Sequence, residues 1–484
     1  MNKPVRRIAI FCGLLVLTLL IRDNWLQYVR ADELNSHKYN RRVLIERYSN
    51  PRGNIIVEGK PVTSSVETKS GDFKYKRTYI DGPMWAPVTG FASQAFGASQ
   101  IENIEDGILT GNDDRLFFDR TLGMFTGEKK QGGNVVTTLN AAAQKAAYEG
   151  LGDKKGAVAA IDPRTGAILA LASTPSYDPS VFAGNSDNDS ANRQKLLKDK
   201  NEPMKNRTLR EIYAPGSTFK VVTAAAALEY GKVTDINAPT DTPEPYFLPN
   251  TRTIMKNHAG GCENASLNEA MRVSCNSVFA KLGDDVGRDD MVKMAEKFGF
   301  NSEIFTPVRA DASVYDKKME RSSNALSAIG QYNTAATPLQ MAMVTAAIAN
   351  DGKLMKPYMV DRLTAPNLDV IEKTKPEEMS RPVSQKNAQL IQQMMENVVE
   401  NGTGGNAKIS GAQVGGKTGT AETGENNTGT PYAWFISYAK NDNGSPVAVA
   451  VVIEDSKART GEVTGGGLAA PIAKDVMKAV LGKQ

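Results

Sequence analysis

Apolar residues fall along this chain in three kinds of run, and each kind predicts a different element. The first is one continuous block, Ile8 to Ile21 in "MNKPVRRIAIFCGLLVLTLLIRDNW", behind Lys3, Arg6 and Arg7. Positive charge ahead of an apolar block predicts a signal anchor, with the N-terminus in the cytoplasm and the remaining chain outside. The block is shorter than the roughly 20 residues a spanning helix prefers. Extension through Trp25 to Val29 lengthens it, with Arg22 and Asp23 near one interface. No small-x-small site follows closely, so the anchor is read as retained, and a cleaved signal peptide is the alternative.

The second kind is short and bounded by turn residues, as buried strands are. "GAVAAID" and "AILALAS" are joined by "PRTG", a hairpin signal with Pro163 and Gly166 as punctuation. Near the end, "QVGGKTGTAE", "YAWFISYAK" and "VAVAVVIED" are three more strand candidates. The third kind is helical. "VVTTLNAAAQKAAYEGLG" reads as a strand feeding a helix capped by Gly150 or Gly152, "VVTAAAALEYG" and "ATPLQMAMVTAAIANDG" read as buried helices, and "APIAKDVMKAVLG" as a closing helix. Two strands early, a helical block in the middle and three strands late predict one antiparallel five-stranded sheet, closed by chain ends that meet in space. Gly184 to Arg207 is rich in Asn, Asp and Lys and predicts a long surface loop. From about Ala31 to Asn134 the sequence is mixed and polar, with short β-like runs such as "NIIVEG", and predicts a smaller, separate module.

At 484 residues the chain suggests about three units, and a net charge of +4 from 58 basic and 54 acidic residues is close to balance. No basic block stands out, which sets nucleic-acid binding aside. The three Cys (12, 262 and 275) have no metal spacing and the two His are His37 and His258, so neither a metal site nor a Ser-His-Asp triad is supported.

The candidate chemistry begins at "APGSTFK", where a Pro-Gly turn opens an apolar helix with Ser217 at or near its N-cap and Lys220 one turn in. "EAMRVSCNSVFAKLG" places Ser274 and Asn276 at or beside a helix start, and "VGGKTGTAETG" places Lys417, Thr418, Gly419 and Thr420 on a strand among glycines. Taken singly, each has a local explanation: a cap with a snorkelling Lys, backbone-bonding Ser and Asn, and a turn. Ser-x-x-Lys, Ser-x-Asn and Lys-Thr-Gly in that order are the motif set of penicillin-recognising enzymes.

On these motifs, and on "GAVAAIDPRTGAILALASTPSYDPS", "REIYAPGSTFKVVTAAAALEYG" and "TPLQMAMVTAAIANDGKLMKPYMV", the chain resembles the penicillin-binding proteins. "NPRGNIIVEGKPV" is similar to the start of the non-catalytic pedestal of class B, monofunctional members, and the whole looks most like the actinobacterial penicillin-binding protein A group. The resemblance implies a cytoplasmic stub and anchor over 1–29, a pedestal over 30–139 and a transpeptidase domain over 140–484. The last has the penicillin-recognising serine transpeptidase fold, an α+β arrangement of a five-stranded antiparallel sheet between helices with an all-helical subdomain.

It further implies an extracytoplasmic D,D-transpeptidase that acts on peptidoglycan stem peptides without a cofactor and is acylated by β-lactams. Ser217 is then the nucleophile and Lys220 its base, kept neutral by burial and by the charge of Lys417. Ser274 relays a proton to the departing D-Ala amine, Asn276 orients the substrate, and Lys417 with Thr418 and Thr420 receives its carboxylate. The backbone N–H groups of Ser217 and Thr420 form the oxyanion hole. Gly415, Gly416 and Gly419 keep the strand clear for pairing with a peptide, with simple bulges as the alternative. By analogy with class B relatives, a membrane-embedded glycan polymerase is the partner.

A D,D-carboxypeptidase or β-lactamase, a secreted peptide macrocyclase and a non-catalytic β-lactam sensor share the acylation chemistry. No Glu is placed by a recognisable deacylation motif, and everything after Ile21 is soluble in character, unlike a sensor with several spans. Cys12 lies in the anchor, which leaves Cys262 and Cys275 to pair outside the membrane and brace Ser274 and Asn276. The alternative is a small buried Cys275 and an incidental loop thiol at Cys262.

Overall fold

The computed structural model describes residues 3–35, 40–68, 71–117, 121, 130–424, 429–442, 444–455 and 463–482; His37 lies outside them. Helix α1 (Lys3–Tyr28) buries none of its residues and is, among the described residues, the one helix long and apolar enough to cross a membrane. It extends beyond the apolar block on both sides.

After α1 come β1 (Ile55–Val57), β2 (Lys60–Pro61), β3 (Asn134–Thr137), α2 (Ala141–Leu151), β4 (Lys155–Ile161), β5 (Ile168–Thr174) and α3 (Asp187–Lys198). The helical block contains α4 (Lys220–Glu229), α5 (Leu267–Val273), α6 (Asn276–Val286) and α7 (Pro338–Ala349). β6 (Val360–Thr364), β7 (Val370–Lys373), α8 (Gln385–Asn401), β8 (Gln413–Ala421), β9 (Tyr432–Asn441), β10 (Gly444–Asp455) and α9 (Ala470–Leu481) follow.

Five antiparallel strands form the larger sheet in the order β8-β9-β10-β4-β5, so the early and late strands expected to meet do so, along β4 and β10. The inner strands β10 and β4 are apolar on both faces over most of their length because both faces are covered. Val158, Val449 and Val451 face α2 and α9, while Ala157, Ala448 and Ala450 face the helical block. There α7 is buried at all twelve of its positions, with Thr337 capping its start through a bond from Gln340 N–H (3.1 Å). This double burial explains why the strands read as continuous apolar runs rather than alternating ones.

The stretch before residue 139 is not separate in the way its composition suggested. β1 and β2 share a second five-stranded sheet, β7-β6-β3-β1-β2, with two strands that arrive more than two hundred residues later. Strands β1, β2 and β3 are only two to four residues long and β2 is exposed, so they leave little apolar pattern, and pairing with β6 is invisible to local composition. Beneath them, Glu102 is buried between the Arg52 and Arg77 guanidinium groups (2.5 and 2.6 Å). Those two cations hold its carboxyl below the usual range against strong desolvation.

The segment expected as a loop over 184–207 contains α3. It buries nothing, so it carries no apolar period to detect. A reciprocal cap between Ser186 and Asp189, Asp187 and Asp189 in the first turn, and Lys195 and Lys198 in the last turn support it instead.

Candidate active site

The turn before α4 is pressed between two neighbours. Gly216 has φ +53°, a region open to glycine, and a Cβ there would lie 3.0 Å from the Thr420 carbonyl on β8. Its N–H donates to Gly330 O (2.9 Å), and a Cβ on Gly330 would collide with Gly216 O at 2.1 Å. Thr218 Oγ1 donates to Pro215 O (2.7 Å) and Trp434 Nε1 to Ala214 O (3.0 Å), which fixes the approach to the helix. Residues Gly216–Phe219 form a 3₁₀ turn that runs straight into α4.

Ser217 therefore lies inside the turn rather than at the N-cap of α4. Among the described residues its half-buried Oγ has no hydrogen-bond partner, and its N–H is one of the leading donors that a helix start leaves open. Lys220, the first residue of α4, is fully buried.

The two other motifs converge on that lysine. Ser274 sits between α5 and α6 in the left-handed region (φ +65°), an uncommon conformation for a residue with a side chain. The bend turns both its carbonyl and its hydroxyl towards Lys220, whose Nζ donates to Ser274 O (2.8 Å) and Asn276 Oδ1 (2.7 Å) and lies 3.2 Å from Ser274 Oγ. From the opposite side Lys417 Nζ donates to the same Ser274 Oγ (2.8 Å) and to Thr418 O (3.0 Å). One hydroxyl thus bridges two buried amines.

Burial pushes the Lys220 amine well below the usual lysine range, and the nearby Lys417 charge pushes it further down. Burial also brings Lys417 down to about 7. The neutral amine that this shift favours at Lys220 has a lone pair to accept a proton, as a base requires.

β8 is an edge strand, and it pairs with β9 without a bulge: Lys417 opposite Ile436, Gly419 opposite Trp434, Thr420 opposite Ala433. Its glycines answer to the protein's own core. A Cβ at Gly415 would lie 2.4 Å from the Tyr438 ring, one at Gly416 2.6 Å from the Phe435 ring, and one at Gly419 2.9 Å from Thr218. The expectation that they clear a path for a peptide is therefore replaced by close packing of Tyr438, Phe435 and the Ser217 turn. Thr418 Oγ1 bonds Thr403 Oγ1 (2.6 Å), whereas the Thr420 side chain is exposed.

Cys262 and Cys275 are disulfide-bonded, with Cα atoms 5.6 Å apart. Asn276 makes more protein contacts than a substrate-orienting role suggested: its Oδ1 serves Lys220 and one amide hydrogen goes to Lys256 O (2.9 Å). Two residues here were missed in the sequence, Thr403 and Asn257. Each is a lone polar residue in a loop, with no period or motif, and only the fold brings it to the site.

Residues 156–478 match the penicillin binding protein transpeptidase domain model. The chain belongs to the penicillin-binding protein transpeptidases. Residues 52–135 match a second model, described as the penicillin binding protein A dimerisation domain. This penicillin-binding protein is of class B and is 39% identical to peptidoglycan D,D-transpeptidase PbpA of Mycolicibacterium smegmatis over 99% of both chains. It is 38% identical to PbpA of Mycobacterium tuberculosis, again over 99% of each. It also superposes on the ceftriaxone acyl-enzyme complex of M. tuberculosis penicillin-binding protein A with a TM-score of 0.85, at 38% identity and covering 90% of this chain and all of that one.

Proposed function

We propose that this penicillin-binding protein is a peptidoglycan D,D-transpeptidase working on the outer face of the cytoplasmic membrane, and that β-lactams acylate and inhibit it. The observation that carries the reading is Ser274 Oγ lying between Lys220 Nζ (3.2 Å) and Lys417 Nζ (2.8 Å), beside the turn that presents Ser217. Lys220 takes the Ser217 hydroxyl proton as Oγ attacks the carbonyl carbon of the penultimate D-Ala. The N–H groups of Ser217 and Thr420 receive the oxyanion, and Lys417, Thr418 and Thr420 hold the terminal carboxylate.

Collapse breaks the C–N bond, and the proton passes from Lys220 through Ser274 to the leaving D-Ala amine. An amine of a second stem then attacks the ester carbon, the C–Oγ bond breaks, and the proton the amine loses returns through Lys220 to Ser217 Oγ. In this reading 1–29 is stub and anchor, 30–139 a pedestal that borrows β6 and β7, and 140–484 the transpeptidase domain.

Full-length protein in detergent, given a stem peptide ending in D-Ala-D-Ala and a second stem as acceptor, should release D-Ala and form the cross-linked product faster than the hydrolysed one. Hydrolysis alone would favour a carboxypeptidase, and cyclised product a macrocyclase. With α1 embedded, the native protein should stay with membranes through high salt and leave them in detergent. A soluble form beginning just beyond Ile21 would indicate cleavage instead. A membrane-embedded glycan polymerase should co-purify with the full chain in mild detergent, and its consistent absence would remove that partner.

A further inference from the structure

Helix α6 starts without a cap from its own N-cap residue, Cys275. The cap comes from a loop 19 residues upstream: Asn257 Oδ1 accepts from the N–H groups of Asn276 (2.7 Å) and Ser277 (3.0 Å). Asn257 Nδ2 donates to Ser277 Oγ (2.9 Å) and, at the surface, to Glu244 Oε1 (3.3 Å). The preceding carbonyl, Lys256 O, accepts from Asn276 Nδ2 (2.9 Å). Two consecutive loop residues thus hold both the backbone and the side-chain amide of Asn276.

The side-chain hold gives that amide a direction. If it turned over, Oδ1 would face the Lys256 carbonyl, two acceptors with no hydrogen between them, and its NH2 would face Lys220. A neutral lysine amine has two N–H groups and one lone pair. In the observed arrangement Ser274 O (2.8 Å) and Asn276 Oδ1 (2.7 Å) use both N–H groups. The lone pair is then left for a hydroxyl: Ser274 Oγ lies 3.2 Å from Nζ in this structure, and the acyl-transfer reading gives that place to the Ser217 hydroxyl during attack. A reversed amide would donate into it instead.

We propose that Asn257, with the Lys256 carbonyl, is a positioning residue that keeps the Asn276 amide oxygen on Lys220 and so keeps the lone pair of the base available, a role that rests on the acyl-transfer reading above. The disulfide ties Cys275, beside Asn276, to Cys262 at the far side of the same loop. Loss of the Asn257 side chain therefore releases the amide's orientation while a covalent tether still holds the loop.

The test measures pre-covalent affinity and the acylation rate constant separately, with a fluorescent penicillin and the full-length protein, alongside thermal unfolding. Asn257→Ala should lower the rate constant about 10–100-fold and leave the dissociation constant within about threefold. Asn257→Asp keeps an acceptor for both N–H groups and should recover to within about fivefold. A lowered melting temperature with an unchanged rate constant in Asn257→Ala would show a cap that only stabilises, and would overturn the proposal. Should Asn257→Ala fail to fold, Asn257→Asp decides: a folded Asp variant slowed as far as Lys220→Ala overturns it, and near-normal acylation supports it. Ser217→Ala run in parallel separates the two ideas. Labelling that persists there removes the acyl-transfer reading, whereas labelling lost there with Asn257→Ala at full rate removes only the role of Asn257.

Discussion

Replacing Ser217 by alanine should abolish covalent labelling by penicillin, lowering the acylation rate by on the order of 10⁴–10⁶-fold, while the melting temperature stays put. The rate falls that far because no other described hydroxyl has the same combination of a helix start, an adjacent buried amine and freedom from hydrogen bonding. Ser274 comes nearest, but its Oγ is engaged by Lys417 at 2.8 Å. Stability is spared for the same reason that reactivity is available. The Ser217 hydroxyl is half-exposed and bonds to nothing in the described structure, so its removal should cost within about 0.5 kcal/mol. In the parent protein the adduct should map to a peptide containing residues 217–220. Labelling of the Ala variant at unchanged stoichiometry would sink the assignment.

The sequence made the sheet legible because both of its faces are covered, so that runs such as "VAVAVVI" are apolar at every position. It made the motif residues legible because their identities and order are distinctive. It did not reveal what orients them. Asn257, Thr403 and Gly330 act across 19, 15 and more than a hundred positions respectively, through single contacts that leave no period. The glycines beside Lys417 show the opposite failure. Strand glycines do permit close approach here, but which group approaches is set by the fold: Tyr438, Phe435 and Thr218. Helix α3 escaped notice because caps and charges at its ends support it, and hydrophobic periodicity is silent about those. Composition likewise cannot foresee a sheet that joins residues 55–57 to residues 360–364 through β3.

Lys220→Ala and Lys417→Ala should fail differently, and their pH profiles should show why. Lys220 sits where only proton transfer is asked of it, so its loss should slow acylation by about 10²–10⁴-fold with pre-covalent binding nearly intact. Lys417→Ala should also weaken binding of a carboxylate-bearing substrate or penicillin by at least about tenfold, because a buried charge partner is gone. In the parent enzyme Lys220 must be neutral and Lys417 charged. The second-order acylation constant should therefore fall at low pH, as Lys220 takes up a proton, with the midpoint far below the ordinary lysine value. It should fall again as pH rises through about 7, where the unliganded Lys417 loses its charge. A bound carboxylate favours the charged amine, so the rate constant of the pre-formed complex should keep its value to higher pH than the second-order constant does. Lys417→Ala should remove the alkaline fall and leave the acid one, whereas Lys220→Ala should remove the acid one. Superimposable pH profiles for the two variants would mean that the lysines do not hold separate roles, however close their shared bond to Ser274 brings them.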